Sequence, residues 1–184
     1  MRILAISGSL RSGSHNTSLL RAAGKLLSPL DTLELWDGLR EVPPYDQDDD
    51  VEPAPPAVAA LRAAVASADA VLIATPEYNS SIPGALKNAL DWASRPIATN
   101  VFRNKPVAVI GSSSGMFGAV WAQAELRKVL AAMGARVAEV EVAVGRAQDK
   151  LDEEGNLLDD DVRAQLRDAL ATLSAEVSPA LAAA

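Results

Sequence analysis

Three short apolar runs, each followed at once by a polar loop, constrain the fold of this chain more than any other feature. The runs are Ile3–Ile6, Val71–Ala74 and Val107–Ile110. They are nearly continuous rather than alternating, which is the pattern of strands buried on both faces of a parallel sheet. The sequence therefore predicts an α/β fold with these three runs as its interior strands.

Two further runs alternate between apolar and polar residues. They are Thr32–Asp37, where Leu33 and Leu35 flank Glu34, and Arg136–Val144. Alternation indicates one solvated face, as at the edge of a sheet. Second and fifth strands at the edges favour the order 2-1-3-4-5 of a flavodoxin-like doubly wound sheet over a dinucleotide-type order.

Amphipathic segments fill the gaps between these strands. Their apolar stripes span Leu19–Leu27, Val58–Ala68, Ile82–Ala93, Ala122–Met133 and Val162–Val177. Right-handed crossovers place such helices on both faces of the sheet, so we expect a three-layer sandwich. Asn16 and Thr17 are predicted to start the first helix, and Pro83 is predicted to lie in the first turn of the third. Residues 1–178 are expected to form a single domain, and residues 179–184 a frayed tail.

Composition limits the classes of partner. The 184 residues include no cysteine, which excludes disulfides, thiolate metal sites and a cysteine nucleophile. The net charge of −7 argues against nucleic acid and anionic membranes as partners. No apolar run approaches the length of a membrane span, and the first strand begins at Arg2, so we expect no signal peptide and a cytoplasmic location.

Two segments look irregular. Residues 36–56 are rich in proline and glycine and carry an acidic cluster, Asp46–Glu52. A solvated loop is the favoured interpretation; a metal site is the alternative, but the cluster lacks the spacing of a calcium loop. The stretch Gly145–Leu157 is predicted to be a second exposed loop.

The first candidate binding segment, here called the first loop, is Ser7–Ser18. It offers six hydroxyls, Arg11 and the amides of a helix N-terminus, a combination that suits a phosphate. It matches neither Gly-x-Gly-x-x-Gly nor a Walker A loop, so a monophosphate is favoured over a pyrophosphate. The alternative is a serine- and glycine-rich turn with an ordinary helix cap. His15 is the only histidine, and nothing around it indicates a Ser-His-Asp mechanism.

Two more polar loops follow the third and fourth strands, where ligands of open parallel sheets bind. The second loop, Pro76–Ser81, is stiffened by proline and suits the edge of a planar heterocycle; a packed loop aromatic is the alternative interpretation of Tyr78. The third loop, Gly111–Ala119, has serines and glycines that allow a ligand to approach the backbone; its alternative is a flexible turn.

The segments GSLRSGSHN, PEYNSSIPGALKNALDWASRP and AQAELRKVL resemble the NADPH-dependent FMN reductase family, which includes quinone, chromate and azo-compound reductases. The resemblance extends from the first strand through the fourth helix, and VPPYDQDD is similar to the family's acidic loop. One departure is Ala119 and Trp121, where family members often have Gly and Arg. This departure affects what the resemblance implies about the geometry of subunit contacts and about selectivity on the nicotinamide side of the site.

The resemblance implies a flavodoxin-like FMN enzyme that forms a homodimer or a dimer of dimers. It implies that hydride passes from NADPH or NADH to flavin N5 and then to quinone-type or other electrophilic acceptors, or to free flavin, with no catalytic side chain and no metal. The implied FMN-binding residues are Ser9, Leu10, Arg11, Ser14, His15, Asn16, Thr17, Pro76, Glu77, Tyr78, Asn79, Ser80, Ser112, Ser113, Ser114 and Gly115.

Two rival functions are compatible with the same architecture. One is a flavodoxin, which carries electrons without catalysis, and the other is an FMN-binding regulatory protein. Flavodoxins typically lack an arginine in the phosphate loop and place aromatic residues on both sides of the ring. Arg11 and the aromatic content of 4% therefore favour a flavin with one face open to substrates.

Overall fold

The computed structural model describes residues 1–152 and 154–181. All five predicted strands lie in one parallel sheet, the fifth in two parts. The strands are β1 (Arg2–Ser7), β2 (Thr32–Trp36), β3 (Ala70–Thr75), β4 (Pro106–Ser112), β5 (Arg136–Val137) and β6 (Ala143–Val144). Their order is β2-β1-β3-β4-β5, and β6 also pairs with β4. The predicted flavodoxin-like topology and its order 2-1-3-4-5 are confirmed.

Helices cover both faces of this sheet. They are α1 (His15–Lys25), α2 (Pro56–Ser67), α3 (Gly84–Ala93), α4 (Val120–Ala132), α5 (Ala147–Lys150) and α6 (Asp160–Leu181). Alternate residues of β1 enter opposite cores: Leu4 packs with α2, α3 and α4, whereas Ile3 packs with α1 and α6. The period of two in a strand produces this division, and it gives the predicted three layers.

The fifth strand differs from the prediction, because it is broken in two. Residues 138–142 leave the ladder between β5 and β6. Side chains of α4 bond to the backbone there: Gln123 Nε2 donates to the Val142 carbonyl at 3.2 Å, and Arg127 Nη2 donates to the Val140 carbonyl at 2.7 Å. The alternation itself holds, since Val142 is buried while Glu141 is exposed.

Two predicted helix starts were wrong by a few residues. The N-cap of α1 is Ser14, whose Oγ accepts from the Thr17 amide at 3.3 Å, so Asn16 and Thr17 lie inside the helix. Pro83 is the N-cap of α3 rather than a residue of its first turn. Its backbone is extended, with φ −59° and ψ 140°. In both cases the residue before the helix, Ser14 or Pro83, has the non-helical backbone that a cap position requires.

The prediction of an exposed loop at Gly145–Leu157 was wrong in part. The segment contains α5, and Ala147, Leu151 and Leu157 are buried in the core on the α1 and α6 face. Lys25 Nζ on α1 donates to the Glu154 carbonyl and to Asn156 Oδ1, both at 2.8 Å. The polar residues of the segment are thus bound to a neighbouring helix while its apolar residues extend the core.

The acidic segment is solvated, as predicted. Asp46, Asp48 and Asp49 are exposed, and Asp50 forms an ion pair with Arg62 of α2 at 3.0 Å. In the described part of the chain, no group of three or more His, Asp or Glu side chains could hold a metal ion.

The C-terminal helix passes the predicted domain boundary. It runs from Asp160 to Leu181, so the boundary at residue 178 falls inside helical backbone, and residues 182–184 of the predicted tail lie outside the described residues. The single domain and its frayed tail stay predictions. Among the helices of residues 1–152 and 154–181, none has both the length and the apolar character needed to cross a bilayer.

Candidate flavin site

The first loop is held tightly at both ends. At its start, the Gly8 amide donates to the Ala74 carbonyl of β3 at 2.8 Å. At its end, Thr17 Oγ1 donates to Ser7 Oγ at 2.9 Å. The amides that begin α1 point out of the helix without intrahelical acceptors, and the helix dipole favours an anion there.

Arg11 is the cation of this loop. Its side chain is exposed, and within the described residues its guanidinium makes no hydrogen bond or ion pair. A guanidinium of this kind can bond two oxygens of a phosphate at once. The loop therefore presents an unpaired positive charge beside a helix N-terminus, although the protein as a whole is acidic.

The Asn16 side chain joins two of the three loops. Its side chain is buried, and Nδ2 donates to the Ser112 carbonyl at 3.1 Å while Oδ1 accepts from the Ser112 amide at 3.0 Å. Both polar atoms are thereby used to join the first loop to the third.

The second loop is a tight hairpin. Tyr78 and Ser81 exchange two backbone hydrogen bonds, at 3.0 and 3.1 Å. Between them, Asn79 and Ser80 have φ values of 54° and 61°. Two consecutive left-handed residues form the turn that matches the twist of a hairpin, and Asn tolerates that conformation better than most residues. The Tyr78 side chain, 48% exposed, stands at the edge of this hairpin.

Glu77 links the second loop to α4. Its Oε2 accepts from the amides of Trp121 and Ala122, both at 3.1 Å. These are amides of the first turn of α4, so Glu77 caps a helix that begins more than 40 residues later. Because the contact is with the backbone, it does not depend on Trp121 having replaced the arginine common in the family.

The third loop packs against the chain that follows β6. The Ser113 amide donates to the Val144 carbonyl, and the Arg146 amide donates to the Gly115 carbonyl at 2.8 Å. A Cβ at Gly118 would lie 2.3 Å from the Ala143 carbonyl carbon, so glycine is required there. These contacts contradict the alternative of a flexible turn. Ala119 has φ 63°, a region that favours glycine, which accounts for the glycine often found at this position in the family.

A cleft of about 110 Å³, the loop cleft, lies where the three loops meet. Its lining residues are Ser9, Arg11, Ser14, His15, Asn16, Pro76, Glu77, Tyr78, Ser112, Ser113 and Ser114. All eleven belong to the predicted set. Of the other five, Leu10 and Thr17 line a neighbouring cleft, Asn79 and Ser80 form the hairpin tip, and Gly115 binds Arg146.

Ser112 supplies the observation that tests the fit of a flavin nucleotide. Its Oγ is buried, lines the loop cleft and has no hydrogen-bond partner among the described residues. Buried hydroxyls are normally bonded, so this one is available to a polar ligand group. With Arg11 and a helix N-terminus at one end and hydroxyls at the other, the donor set fits FMN.

Several residues on or near the three loops were not in the predicted set of FMN-binding residues. Met116, Phe117 and Trp121 are among the most exposed large apolar side chains, and the rings of Phe117 and Trp121 meet edge to face at 5.1 Å. Arg40, which follows β2, donates from Nη2 to the Leu10 carbonyl at 2.7 Å. Only the strand order indicated that the end of β2 lies beside the first loop, and no motif marked Arg40.

Comparison with known proteins shows the family to which this chain belongs. The profile of the family described as NADPH-dependent FMN reductase matches residues 1–149. The NAD(P)H-dependent FMN reductase PA1204 of Pseudomonas aeruginosa is 43% identical over 174 residues, which cover 94% of this chain and 93% of that protein. The 2-hydroxy-1,4-benzoquinone reductase of a Burkholderia species is 39% identical over 168 residues, 91% of each chain.

A solved structure shows the same similarity in three dimensions. It is FerB of Paracoccus denitrificans, a flavoenzyme described as an NAD(P)H:(acceptor) oxidoreductase. The two chains are 34% identical and superpose with a TM-score of 0.84, which covers 96% of this chain and 95% of FerB.

Proposed function

Since this chain belongs to the NADPH-dependent FMN reductase family, we propose that its three loops hold FMN and that it passes hydride from NAD(P)H to small electrophilic acceptors. The protein is an FMN-dependent NAD(P)H oxidoreductase. The observation that carries the assignment of the site is the loop cleft, where Arg11 and the buried Ser112 hydroxyl lack protein partners.

The first loop holds the phosphate end. Arg11 donates to the phosphate oxygens, and Ser9 and the amides at the start of α1 supply further donors. Ser14 keeps those amides in place, because its Oγ caps α1. Asn16 acts indirectly by fixing the third loop against the first.

The second and third loops hold the ring end. Glu77 keeps the second loop fixed to α4, while Pro76, Tyr78 and the serines Ser112–Ser114 face the loop cleft. When bound, FMN supplies the hydride chemistry at its N5 position. The residues around the cleft then need only bind and orient the flavin and leave one side of it open.

Quinone-type compounds are the proposed acceptors, with free flavin as an alternative acceptor. The proposal is supported by the benzoquinone reductase activity named for the Burkholderia relative. It is also supported by exposed apolar side chains of the second loop, the third loop and the start of α4, which are Tyr78, Met116, Phe117 and Trp121. Aromatic side chains of this kind stack against planar rings.

A homodimer, or a dimer of dimers, in the cytoplasm is proposed as the working form. A groove of about 380 Å³ between α3 and α4 supports self-association. Ile97, which lines it, is 66% exposed, and Leu90, Val129 and Met133 also line the groove. The cytoplasmic location rests on the absence of cysteine from the sequence, which is compatible with a reducing compartment.

A visible spectrum of the purified protein, followed by anaerobic addition of NADPH, tests the function. We expect flavin absorbance that bleaches with NADPH, and many turnovers when a quinone is present. A colourless protein that takes up no added FMN in calorimetry would overturn the proposal. A protein that binds FMN but does not turn over would instead be an electron carrier.

A further inference from the structure

A cleft of about 280 Å³, here called the basic cleft, lies at the end of the sheet opposite to the three loops. Asp69 precedes β3, Lys105 precedes β4 and Arg136 begins β5, so these lining residues mark the amino ends of parallel strands. The loop cleft lies at the carboxyl ends of β1, β3 and β4. The basic cleft is therefore a separate site, and none of its lining residues was among the predicted site residues.

Positive charge is concentrated in this cleft, although the protein has a net charge of −7. Arg103, Lys105 and Arg136 line it against one carboxylate, that of Asp69, which leaves an excess of two positive charges. Within the described residues, none of the three cations lies within ion-pair distance of a carboxylate. An anion is the ligand that such a cleft favours.

The two arginines bond only to neutral groups. Arg136 Nη2 donates to the Glu176 carbonyl at 2.8 Å, while its Nε is buried and has no hydrogen-bond partner among the described residues. Arg103 Nη2 donates to the Ile97 carbonyl at 3.2 Å. These bonds orient the guanidinium groups without neutralising their charges, and they leave donors over for a ligand.

Lys105 is the third cation, and it is partly buried. Its Nζ donates to the carbonyls of Ala66 and Ala68, near the end of α2. Burial lowers the pKa of the Lys105 ammonium, and the charge of Asp69 offsets this effect only in part. An anion beside Nζ would supply the missing compensation, because a nearby opposite charge favours the charged form.

The Asp69 carboxylate is bound to backbone. Its Oδ2 accepts from the Arg2 amide at 2.7 Å, and the Asp69 amide donates to the Arg2 carbonyl at 2.9 Å. The residue thus joins the start of β1 to the start of β3. Its charge opposes an anion in the cleft but is outnumbered by the three cations, so its removal should strengthen anion binding.

The two turns that carry the cations are bonded to each other. The Asn104 amide donates to the Gly134 carbonyl at 2.8 Å, and the Arg136 amide donates to the Lys105 carbonyl at 2.9 Å. Asn104 has φ 57°, a left-handed conformation that Asn tolerates in turns. The cations therefore project from a fixed backbone, which reduces the ordering that a ligand must impose when it binds.

We propose that the basic cleft binds a phosphate group, either as free phosphate or as part of a small phosphomonoester. Arg103 and Arg136 donate to the phosphate oxygens, and Lys105 supplies the third charge. Three cations around one group suit a phosphate better than a carboxylate, which has fewer oxygens, and the excess of two charges matches a dianion. The apolar part of the wall can contact the organic part of a monoester; it consists of Ala68, Pro106 and Val177.

Calorimetry tests the proposal on protein saturated with FMN, so that the first loop cannot take up the added anion. Inorganic phosphate, glycerol 2-phosphate and acetate are titrated separately at constant ionic strength. We expect both phosphates to bind at least about tenfold more tightly than acetate, as one more charged hydrogen bond would produce. Tighter binding of glycerol 2-phosphate than of inorganic phosphate identifies a monoester as the ligand, and the reverse order identifies free phosphate. The absence of saturable phosphate binding would overturn the proposal, and so would acetate binding as tightly.

Variants that remove a cation locate the site. Arg103→Gln removes an exposed charge and keeps a donor for the Ile97 carbonyl, so we expect a folded protein that binds phosphate about tenfold more weakly. Arg103 also lines the groove between α3 and α4, whereas Lys105 does not, so Lys105→Gln repeats the test away from that groove. Arg167→Gln, at an exposed position on α6, is the control and should leave the affinity unchanged.

Asp69→Asn should have the opposite effect. Asparagine keeps an acceptor for the Arg2 amide but removes the one negative charge of the cleft, so we expect phosphate to bind about threefold more tightly. Phosphate affinity that stays the same in Asp69→Asn and in Arg103→Gln would place the anion elsewhere and overturn the proposal. This inference is independent of the proposed function, because the variants are compared by phosphate affinity, and a protein that takes up no FMN would refute the function alone.

Discussion

Asn16 and Ser112 are joined by two buried hydrogen bonds, although 96 residues separate them in the chain. The Asn16 side chain satisfies both the amide and the carbonyl of Ser112, which would otherwise be buried without partners. This pair connects the loop after β1 directly to the end of β4, across β3. The relative position of the two ends of the loop cleft thus depends on one side chain.

Asn16→Ala should be strongly destabilising for this reason. It leaves a buried donor and a buried acceptor of Ser112 unpaired, so we expect a loss of about 2–4 kcal/mol in the free energy of unfolding. FMN affinity should fall as well, because the first and third loops are no longer joined. Urea denaturation and FMN titration measure the two effects. Gln165→Ala on the exposed face of α6 is the control, and a matching small effect in both variants would contradict the role of Asn16.

Glu77 is a second residue that links distant loops, and its charge and its acceptor role can be separated. Glu77→Ala removes the acceptor for the Trp121 and Ala122 amides and should cost about 1–2 kcal/mol, as the loss of a helix cap does. Glu77→Gln keeps an acceptor and loses only the charge at the helix N-terminus, at a cost of about 0.3–1 kcal/mol.

Both Glu77 variants should fold, and both should change FMN affinity or turnover, because the second loop is less firmly fixed to α4. Thermal unfolding, FMN titration and steady-state NADPH oxidation measure these quantities. Equal stability of the Ala and Gln variants would show that the acceptor role contributes nothing beyond the charge, and unchanged kinetics in both would remove Glu77 from the site.

The sequence predicted the strands, their order and the three loops, because each depends on local patterns. Continuous apolar runs identified β1, β3 and β4, and polar loops after them marked the site. The functions of Asn16 and Glu77 were not predictable, because each acts on backbone groups far away in the chain. The Gly145–Leu157 segment was predicted to be exposed because most of its residues are polar. That composition gave no sign that Leu151 and Leu157 would be buried.

Asp159 makes the free energy of unfolding depend on pH in the acid range. Its Oδ1 accepts from the Val162 amide at 3.0 Å, and this backbone hydrogen bond, aided by the charge of Lys150, holds the pKa of the carboxyl below its ordinary value. A lowered pKa in the folded state stabilises the protein above the unfolded-state pKa of about 3.9. That stability is lost as the pH falls through the lower, folded-state pKa.

Asp159→Asn should therefore flatten the acid part of the stability profile. Asparagine still caps α6 but lacks the charge, so we expect the variant to be less stable than the parent protein at pH 7 and the difference to shrink between about pH 4 and pH 2. Urea midpoints at pH 7, 4 and 3 measure the difference. Asp168→Asn, an exposed position on the same helix, is the matched control. A variant whose acid profile coincides with that of the parent protein would contradict the assignment.

Arg11→Ala tests whether the FMN phosphate binds at the first loop. The Arg11 guanidinium has no protein partner among the described residues, so its removal should disturb the fold little while deleting a charged hydrogen bond to the FMN phosphate. We expect FMN binding to weaken by roughly 1.5–3 kcal/mol, which is about a 10- to 150-fold rise in Kd. Arg167→Ala on α6 serves as the control. Riboflavin, which lacks the phosphate, should bind equally to the Arg11 variant and the parent protein, because Arg11 acts on the phosphate alone. If the variant bound FMN as tightly as the parent protein does, the phosphate would have to lie away from Arg11.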